Sequence, residues 1–233
     1  PSDNGLLRMW KKPVEGHKYV IGIDTAKGID PALKQTGTSD PDYSAAHVLD
    51  IDMGEQVAVL HGRITPAVLA QTCYDLGRLF NWAFLVPDAD SFGIATIQKL
   101  MDLQYPLELL YRRQRDANDQ RPPTMPELGF VTTTASKPQA IDKLDWALQN
   151  REIEIVDPRT LDELRSFVYW PDGKMAAQQG SHDDLVMALA LAVWGIPWAV
   201  MAHGKRVREE GKRQLPFTRY DGQGEGSKLP FRM

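Results

Sequence analysis

The sequence has 233 residues, of which 42% are hydrophobic and 25% are charged. This balance allows one sizeable core and excludes an intrinsically disordered chain. The formal net charge of −4 excludes nucleic-acid binding through bulk positive charge, so any such contact needs local groups of Lys and Arg. The single cysteine, Cys73, excludes an internal disulfide and a cysteine-rich zinc site, as is typical of a reducing cytoplasm.

The first half of the chain predicts a lead-in followed by an antiparallel meander. Residues 1–17 are polar and interrupted by Gly and Pro, which indicates a linker. Val20, Ile21 and Ile23 form a β-branched run that is typical of a buried strand. A long loop, Lys27–Asp40, follows this strand. The three strands that we expect in the meander are Tyr19–Asp24, Tyr43–Ile51 and Gln56–Ile64.

The following part of the chain alternates helices with short strands. Helical spacing of apolar residues predicts four helices: Pro66–Phe80, Ser91–Leu103, Pro138–Asn150 with Ser136 as its N-cap, and Leu161–Tyr169. Apolar runs predict three strands: Ala83–Val86, Leu107–Tyr111 and Ile153–Val156. Between them, the polar stretch Arg112–Glu127 predicts a loop or hairpin, and Asp172-Gly173 a turn inside a hairpin. This order predicts an α/β fold with a mixed sheet and helices on both faces.

One stretch, Leu185–Ala202, is almost wholly apolar and approaches the length of a membrane span. Gly195 and Pro197 interrupt it, and two aspartates precede it. We therefore expect a core helix that starts near His182 and is followed by an apolar turn. The remaining residues, 203–233, predict a basic and flexible tail, which leaves 18–202 as the folded domain.

Acidic residues stand at the ends of several predicted core elements. Asp24 ends the first strand, Asp88 follows the fourth, and Asp183 and Asp184 open the last helix. Sites in open α/β sheets gather beyond the carboxyl ends of the strands, so these side chains are expected to meet. Grouped carboxylates repel one another unless a divalent cation binds, and oxygen ligands favour Mg²⁺ or Mn²⁺. Each aspartate alone is also explained as a helix or turn cap.

Four segments together resemble the nuclease domain of the large terminase subunit of tailed bacteriophages. They are Gly22-Ile23-Asp24, Asp42-Tyr43-Ser44, Asp88–Gly93 and Gly180–Ala188, and the resemblance covers Tyr19–Ala192. It implies an RNase H-like fold, with an antiparallel meander plus parallel strands. It also implies an endonuclease that uses two Mg²⁺ or Mn²⁺ ions to cut concatemeric double-stranded viral DNA during genome packaging. The activity is expected in the host cytoplasm, away from any membrane.

The resemblance also implies partners that the chain itself does not contain. No Gly-x-x-x-x-Gly-Lys-Ser/Thr loop occurs in the sequence, so we expect an isolated C-terminal nuclease domain without its ATPase domain. The implied partners are double-stranded DNA, that ATPase domain, the portal and the small terminase subunit.

Catalytic and metal-binding roles follow from the resemblance by position. Asp24, Asp88 and Asp184 would be catalytic, and the metal ligands would come from these three with Asp183 and Asp42. Either member of the 183–184 pair could be the inner ligand. Relatives often carry Asn where this chain has an aspartate at position 90, so it stays open whether Asp90 faces the metals.

DNA contacts are expected from four basic residues: Arg112, Arg113, Arg115 and Lys137. Lys137 ends Gly129–Lys137, a stretch similar to the Gly-x-x-Thr-x-x-x-Lys segment of the family. Three alternatives remain open. They are a Holliday-junction resolvase or transposase of the same fold, a sugar kinase or related ATPase, and a non-catalytic docking module of the packaging motor.

Overall fold

The structure is a computed structural model that describes residues 6–26, 43–113, 127–170, 175–178 and 181–214, with the backbone alone for 206–214. The predicted loop Lys27–Asp40, the turn Asp172-Gly173, and the site residues Asp42 and Arg115 lie outside these ranges. The described elements are β1 (Leu7–Met9), β2 (Tyr19–Asp24), β3 (Ser44–Asp50), β4 (Glu55–Gly62), α1 (Pro66–Leu79), β5 (Phe84–Pro87), α2 (Ser91–Asp102), a 3-10 turn (Leu107–Leu109), α3 (Ser136–Gln149), α4 (Pro158–Ser166), β6 (Phe167–Tyr169), β7 (Met175–Ala177) and α5 (Asp184–Gln214).

A five-stranded mixed sheet forms the centre of the fold, in the order β1-β4-β3-β2-β5. The meander predicted for β2, β3 and β4 is confirmed, with antiparallel pairing at both contacts. Strand β5 pairs in parallel with β2, so that Val20 lies opposite Phe84 and Ile23 opposite Pro87. The predicted α/β fold with a mixed sheet is therefore confirmed, and β2 and β5 end at the same edge.

Helices cover both faces of the sheet, as predicted. Successive side chains of a strand point to opposite faces. In β2, Tyr19 packs on Phe80 at the end of α1, with ring centroids 5.0 Å apart, whereas Gly22 faces α5. Strand β2 is consequently buried on both sides, which explains its continuous apolar run.

The contact between β2 and α5 is unusually close. A Cβ atom at Gly22 would lie 2.1 Å from the carbonyl oxygen of Ala188 and 2.2 Å from the amide nitrogen of Ala192. Gly195, further along α5, makes a similar approach, since its Cβ would lie 2.4 Å from a methyl group of Val86. These glycines let the helix backbone lie directly on the sheet.

Helix α5 corrects one prediction in the apolar stretch. The expected turn after the core helix is wrong, because Gly195 and Pro197 lie inside a helix that continues to Gln214. The helix accommodates Pro197 on its exposed side, although the proline removes one N–H donor from the helix. The window Asp184–Lys205 is long and apolar enough to cross a membrane, but 61% of it is buried in the fold, against β2, β3 and β5. The prediction of a core helix is therefore confirmed.

Several short elements differ from their predictions. Within the predicted lead-in 1–17, residues Leu7–Met9 form an edge strand that pairs with β4. A strand of three residues carries too little alternation to be recognised in sequence. The predicted strand Leu107–Tyr111 is instead a 3-10 turn followed by a single bridge from Leu110 to Leu85. The predicted strand Ile153–Val156 is reduced to one bridge between Glu154 and Glu55.

Two helix boundaries also differ from their predictions. The predicted helix Leu161–Tyr169 runs instead from Pro158 to Ser166 and gives way to β6, which pairs with β7 in a hairpin. Pro158 is well suited to a first helical turn because it has no N–H to satisfy. Ser136 is the first residue of α3 rather than its N-cap, and its hydroxyl donates to the carbonyl of Val131.

We expect Gly22→Ala to lower the free energy of unfolding by about 3 kcal/mol, because the added methyl group would overlap the backbone of α5. Urea denaturation followed by circular dichroism measures this change. Gly204→Ala is the matched control. Gly204 lies in α5, and no atom lies within 4 Å of the position that its Cβ would occupy. Because alanine favours the helix more than glycine does, this control variant should be more stable than the parent by about 0.5–1 kcal/mol. Equal stability of the Gly22 variant and the parent would contradict the close packing.

Candidate functional site

The acidic edge is the group Asp24, Asp88, Asp183 and Asp184, at the carboxyl ends of β2 and β5 and the start of α5. Gly22 faces α5, so Asp24, two residues further along the same strand, points to the same side. Val86 also contacts α5, and Asp88 follows it by two residues. The amide of Asp88 donates to the carbonyl of Ile23 at 2.8 Å, which continues the parallel pairing beyond β5.

The position of α5 brings the remaining acidic residues to this edge. Ala188 lies directly over Gly22, and Asp184 precedes it by about one helical turn. The side chain of Asp184 therefore lies toward the end of β2. Burial raises the pKa of Asp24 well above its ordinary value, and the negative charges of its acidic neighbours raise it further; in decreasing order of effect these are Asp88, Asp184, Asp183 and Asp90.

Asp88 is a buried carboxylate with one oxygen left unsatisfied. Thr132 donates its hydroxyl to Oδ2 at 3.0 Å, whereas Oδ1 is buried and accepts no hydrogen bond from any residue that the structure describes. Burial raises the pKa of Asp88 to about 6, and the nearby charge of Asp90 adds to this effect. A buried oxygen without a donor, beside other carboxylates, fits a cation ligand. Because the donor set is all oxygen, the residues fit Mg²⁺ or Mn²⁺.

Asp90 caps the helix that follows the acidic edge. It is the N-cap of α2, and its Oδ1 accepts hydrogen bonds from the amides of Phe92 at 3.0 Å and Gly93 at 2.6 Å. The adjacent Gly93 packs against the backbone of Asp88, where a Cβ would lie 1.9 Å from its carbonyl oxygen. Asp90 thus fixes the helix that supports Asp88 and adds negative charge nearby.

The two neighbouring aspartates at the start of α5, Asp183 just before the helix and Asp184 as its first residue, are in different environments. Asp183 is 30% exposed and accepts a hydrogen bond from Lys137 Nζ at 3.0 Å. Asp184 is 14% exposed, and its Oδ2 lies 3.7 Å from Nδ1 of His182. The structure therefore brings Lys137, predicted to contact DNA, to the acidic edge through its ion pair with Asp183.

The remaining predicted DNA-binding residues lie on an adjacent segment or outside the described ranges. Arg112 and Arg113 are exposed and follow Leu110, which bridges in parallel to β5. The amide of Arg113 donates to the carbonyl of Glu127 at 3.0 Å. Arg115 and Asp42 fall outside the residues that the structure describes, so their roles remain predictions.

An aromatic and basic cluster beside the acidic edge was not predicted. The ring of Tyr43 stacks on His61, with centroids 4.7 Å apart, and contacts the edge of His182 at 5.1 Å. The guanidinium of Arg63 lies 4.7 Å from the centre of the same ring. Tyr43 precedes β3, whereas His61 and Arg63 lie at the end of β4, so all three are at the same edge of the sheet as Asp24. His182 lies just before α5.

Glu163 is a second feature that sequence reasoning missed. This residue of α4 is only 12% exposed, and its Oε2 accepts a hydrogen bond from the amide of Leu185 at 2.8 Å. Burial, together with the charges of Asp184 and Asp183, raises its pKa to about 7. The sequence carried no signal of this contact, because the partner is a backbone amide 22 residues away and only the structure shows that α4 turns this face inward.

A further acidic group lies at the opposite end of β2. Among the described residues, His17, Asp50 and Asp52 are the one set of three potential ligands whose atoms all lie within 4.8 Å of one another. Their hydrogen bonds explain the grouping, because His17 Nδ1 contacts Asp50 Oδ2 at 2.8 Å and Asp52 contacts Lys18. This network closes the turn after β3 and leaves the acidic edge, whose carboxylates are more widely spaced, as the candidate site.

No family model matches the chain, but its sequence is similar to those of two phage proteins. A large terminase subunit of Thermus virus P23-45 is 28% identical over 184 residues, and one of Thermus phage G20c is 29% identical over 184 residues. Each match covers 76% of this chain and 31% of the relative, so the chain spans about a third of the length of those proteins.

Solved structures of large terminase nucleases are similar to this chain over most of its length. The magnesium-bound large terminase nuclease of phage G20c superposes with a TM-score of 0.62 at 25% identity, over 82% of this chain and 88% of that one. The nuclease domain of Thermus phage P74-26 superposes with a TM-score of 0.59 at 25% identity, over 82% and 86%. These likenesses confirm the predicted RNase H-like fold class and the resemblance to terminase nuclease domains.

We expect Asp88→Asn to raise the free energy of unfolding of the metal-free protein by about 2–3 kcal/mol at pH 7. The pKa of Asp88 in the folded state, about 6, lies above its unfolded value near 4, so the folded state binds the proton more tightly. Ionisation of Asp88 therefore lowers the free energy of unfolding of the parent as pH rises from about 4 to 6, and this loss persists at higher pH. At pH 4 and below, where Asp88 is protonated in the parent, the free energies of unfolding of the variant and the parent should differ little.

Urea denaturation in EDTA at several pH values measures this difference. Asp162→Asn serves as the control, because that carboxylate is 72% exposed on α4 and pairs only with the exposed Arg165. Its stability should stay within about 0.5 kcal/mol of the parent at every pH. A destabilised Asp88 variant at pH 7 would contradict the assignment of Asp88 as a costly buried charge.

Proposed function

We infer that this chain is the nuclease domain of a large terminase subunit, because it shares sequence and fold with such domains over most of its length. We propose that it is a metal-dependent endonuclease that cuts double-stranded DNA, and that its natural substrate is concatemeric viral DNA during genome packaging. One observation carries this proposal: carboxylates at the ends of two parallel strands and at the start of one helix, with Asp88 buried, converge at a single edge of the sheet.

We propose Asp24, Asp88 and Asp184 as the catalytic residues and the ligands of two Mg²⁺ or Mn²⁺ ions. The solved G20c nuclease with bound magnesium supports the use of a divalent cation. Asp184 is the better inner ligand of the α5 pair, because Asp183 is more exposed and is held by Lys137. When bound, such ions activate water and stabilise the leaving oxygen of a phosphodiester.

The surrounding residues of the chain orient this machinery. Thr132 fixes Asp88 through its hydroxyl, and the other oxygen of Asp88 would be available to hold a cation. We propose that Lys137 exchanges Asp183 for a DNA phosphate once the local negative charge is neutralised. Arg112 and Arg113, exposed on the adjacent segment, extend the phosphate-binding surface, and Arg115 and Asp42 remain proposed members of the site.

The proposed biological setting is the packaging motor in the host cytoplasm. The chain spans about a third of the large terminase subunits it matches, which supports the proposal that an ATPase domain accompanies it in the whole protein. The portal and the small terminase subunit are the other proposed partners. We retain 18–202 as the proposed nuclease domain, with β1 from 1–17 and the end of α5 from 203–233 extending it.

Asp24→Asn should lower the rate of plasmid cleavage in Mn²⁺ by about 100-fold or more, because the residue lies at the centre of the acidic edge. Gel analysis of supercoiled plasmid over time measures the rate. Asp162→Asn, which changes an exposed carboxylate, should cleave like the parent. Cleavage by the Asp24 variant at the parental rate would reject the assigned site.

The choice of DNA separates this function from its alternatives. A terminase nuclease should cut linear and supercoiled duplexes, whereas a resolvase should cut four-way junctions preferentially. Parent protein that cuts no DNA in Mn²⁺ or Mg²⁺, while folded by circular dichroism, would favour the docking module.

Lys137→Ala should weaken duplex binding several-fold and reduce the slope of log affinity against log salt by about 1, because one phosphate contact is lost. Fluorescence anisotropy measures both quantities, on an Asp24→Asn background that keeps the DNA intact. Lys18→Ala is the matched control, since Lys18 also pairs with an aspartate but at the opposite end of β2. An unchanged affinity and slope for the Lys137 variant would remove it from the DNA surface.

A further inference from the structure

Glu163 connects helix α4 to the first turn of α5. Its Oε2 accepts the amide proton of Leu185 at 2.8 Å, across 22 residues of sequence. Leu185 directly follows Asp184, the proposed inner ligand. The first amides of a helix have no partner within the helix, so a carboxylate there satisfies a donor and complements the helix dipole. The start of α5 is therefore fixed by a side chain from another helix.

The helix that carries Glu163 is itself anchored to the sheet. Gln56 of β4 accepts hydrogen bonds from the amides of Val156 and Asp157, both at 2.8 Å, just before α4 begins. Asp157 is fully buried and pairs with Arg8 of β1 at 3.3 Å and with Arg159 at 3.1 Å. Glu163 thus starts from a fixed base, and its hydrogen bond transmits that position to α5.

The second oxygen of Glu163 faces the neighbouring cluster. Oε1 lies 3.9 Å from Nε2 of His61, whose ring stacks on Tyr43. The carboxylate is therefore held on one side by the helix start and enclosed on the other by β4. A largely buried carboxylate is costly without such partners. The geometry gives it a specific task beside the acidic edge.

We propose that Glu163 is a positioning residue of the metal centre: its hydrogen bond to the Leu185 amide fixes the first turn of α5 and thereby aims Asp184 at the cation. This inference rests on the proposed function, since it concerns the same centre. Glu163 acts through the helix and need not touch the cation or the DNA. Groups that orient metal ligands in this way typically contribute 10–100-fold to metal affinity.

Three variants of Glu163 separate position from charge. Glu163→Ala removes the acceptor, and Glu163→Asp retracts it by one methylene. Glu163→Gln keeps an oxygen that can accept from the Leu185 amide but removes the negative charge. Asp162→Asn is the matched control, because it neutralises the adjacent, exposed carboxylate of the same helix.

Two readouts are independent of DNA cleavage. Hydrogen exchange of the metal-free protein reports the first turn of α5, and Mn²⁺ titration followed by electron paramagnetic resonance reports cation affinity. We expect Glu163→Ala and Glu163→Asp to exchange about 10-fold faster at the start of α5 and to bind Mn²⁺ about 10-fold more weakly. Glu163→Gln should stay within about 3-fold of the parent on both readouts.

The outcomes decide between the proposal and its rivals. Parental Mn²⁺ affinity in Glu163→Ala, or in Glu163→Asp should the alanine variant not fold, overturns the positioning role. A Glu163→Gln variant with parental exchange but the weakened Mn²⁺ affinity of Glu163→Ala also overturns it, because the charge alone would then matter. If the parent protein binds no Mn²⁺, both the proposed function and this inference are wrong. If the parent binds Mn²⁺ and the Glu163 variants bind it equally well, only this inference is wrong.

Discussion

The close approach of α5 to β2 is the constraint on which the rest of the structure depends. Gly22 presents no side chain, so the helix backbone at Ala188 and Ala192 rests on the strand itself. Residues on either side of this contact are then fixed in space. Asp24 follows the glycine by two residues and Asp184 precedes Ala188 by about a turn, so one backbone contact brings two distant acidic residues to the same edge.

Specific partners hold the side chains around the acidic edge, whereas one buried oxygen of Asp88 has none among the described residues. Thr132 engages one oxygen of Asp88, Lys137 engages Asp183, and Glu163 engages the amide that follows Asp184. The buried Oδ1 of Asp88 accepts nothing from the described residues. Proteins usually satisfy buried polar groups, and their exceptions concentrate at functional sites. The contrast between these partnered groups and the one unsatisfied oxygen makes this edge the candidate site.

Sequence reasoning succeeded where physical chemistry acts locally. The β-branched run of β2 and the turn signals of the meander predict the central strands, and strand ends that carry Asp24 and Asp88 predict the edge. Sequence reasoning failed for the elements whose conformation is determined by tertiary contacts. Strand β1 forms by pairing with β4, and α5 continues through Pro197 because packing on the sheet outweighs the local preference for a break. Glu163 was missed since its partner, an amide 22 residues away, has no signature in sequence.

The raised pKa values of Asp24 and Asp88 have a thermodynamic consequence for the whole molecule. Ionised carboxylates crowded in a buried place oppose folding, and a divalent ion bound there would offset that opposition only in the folded state. By mass action, unfolding would then grow more unfavourable with the logarithm of free ion concentration. The melting temperature of the protein would therefore rise with the concentration of free divalent ions.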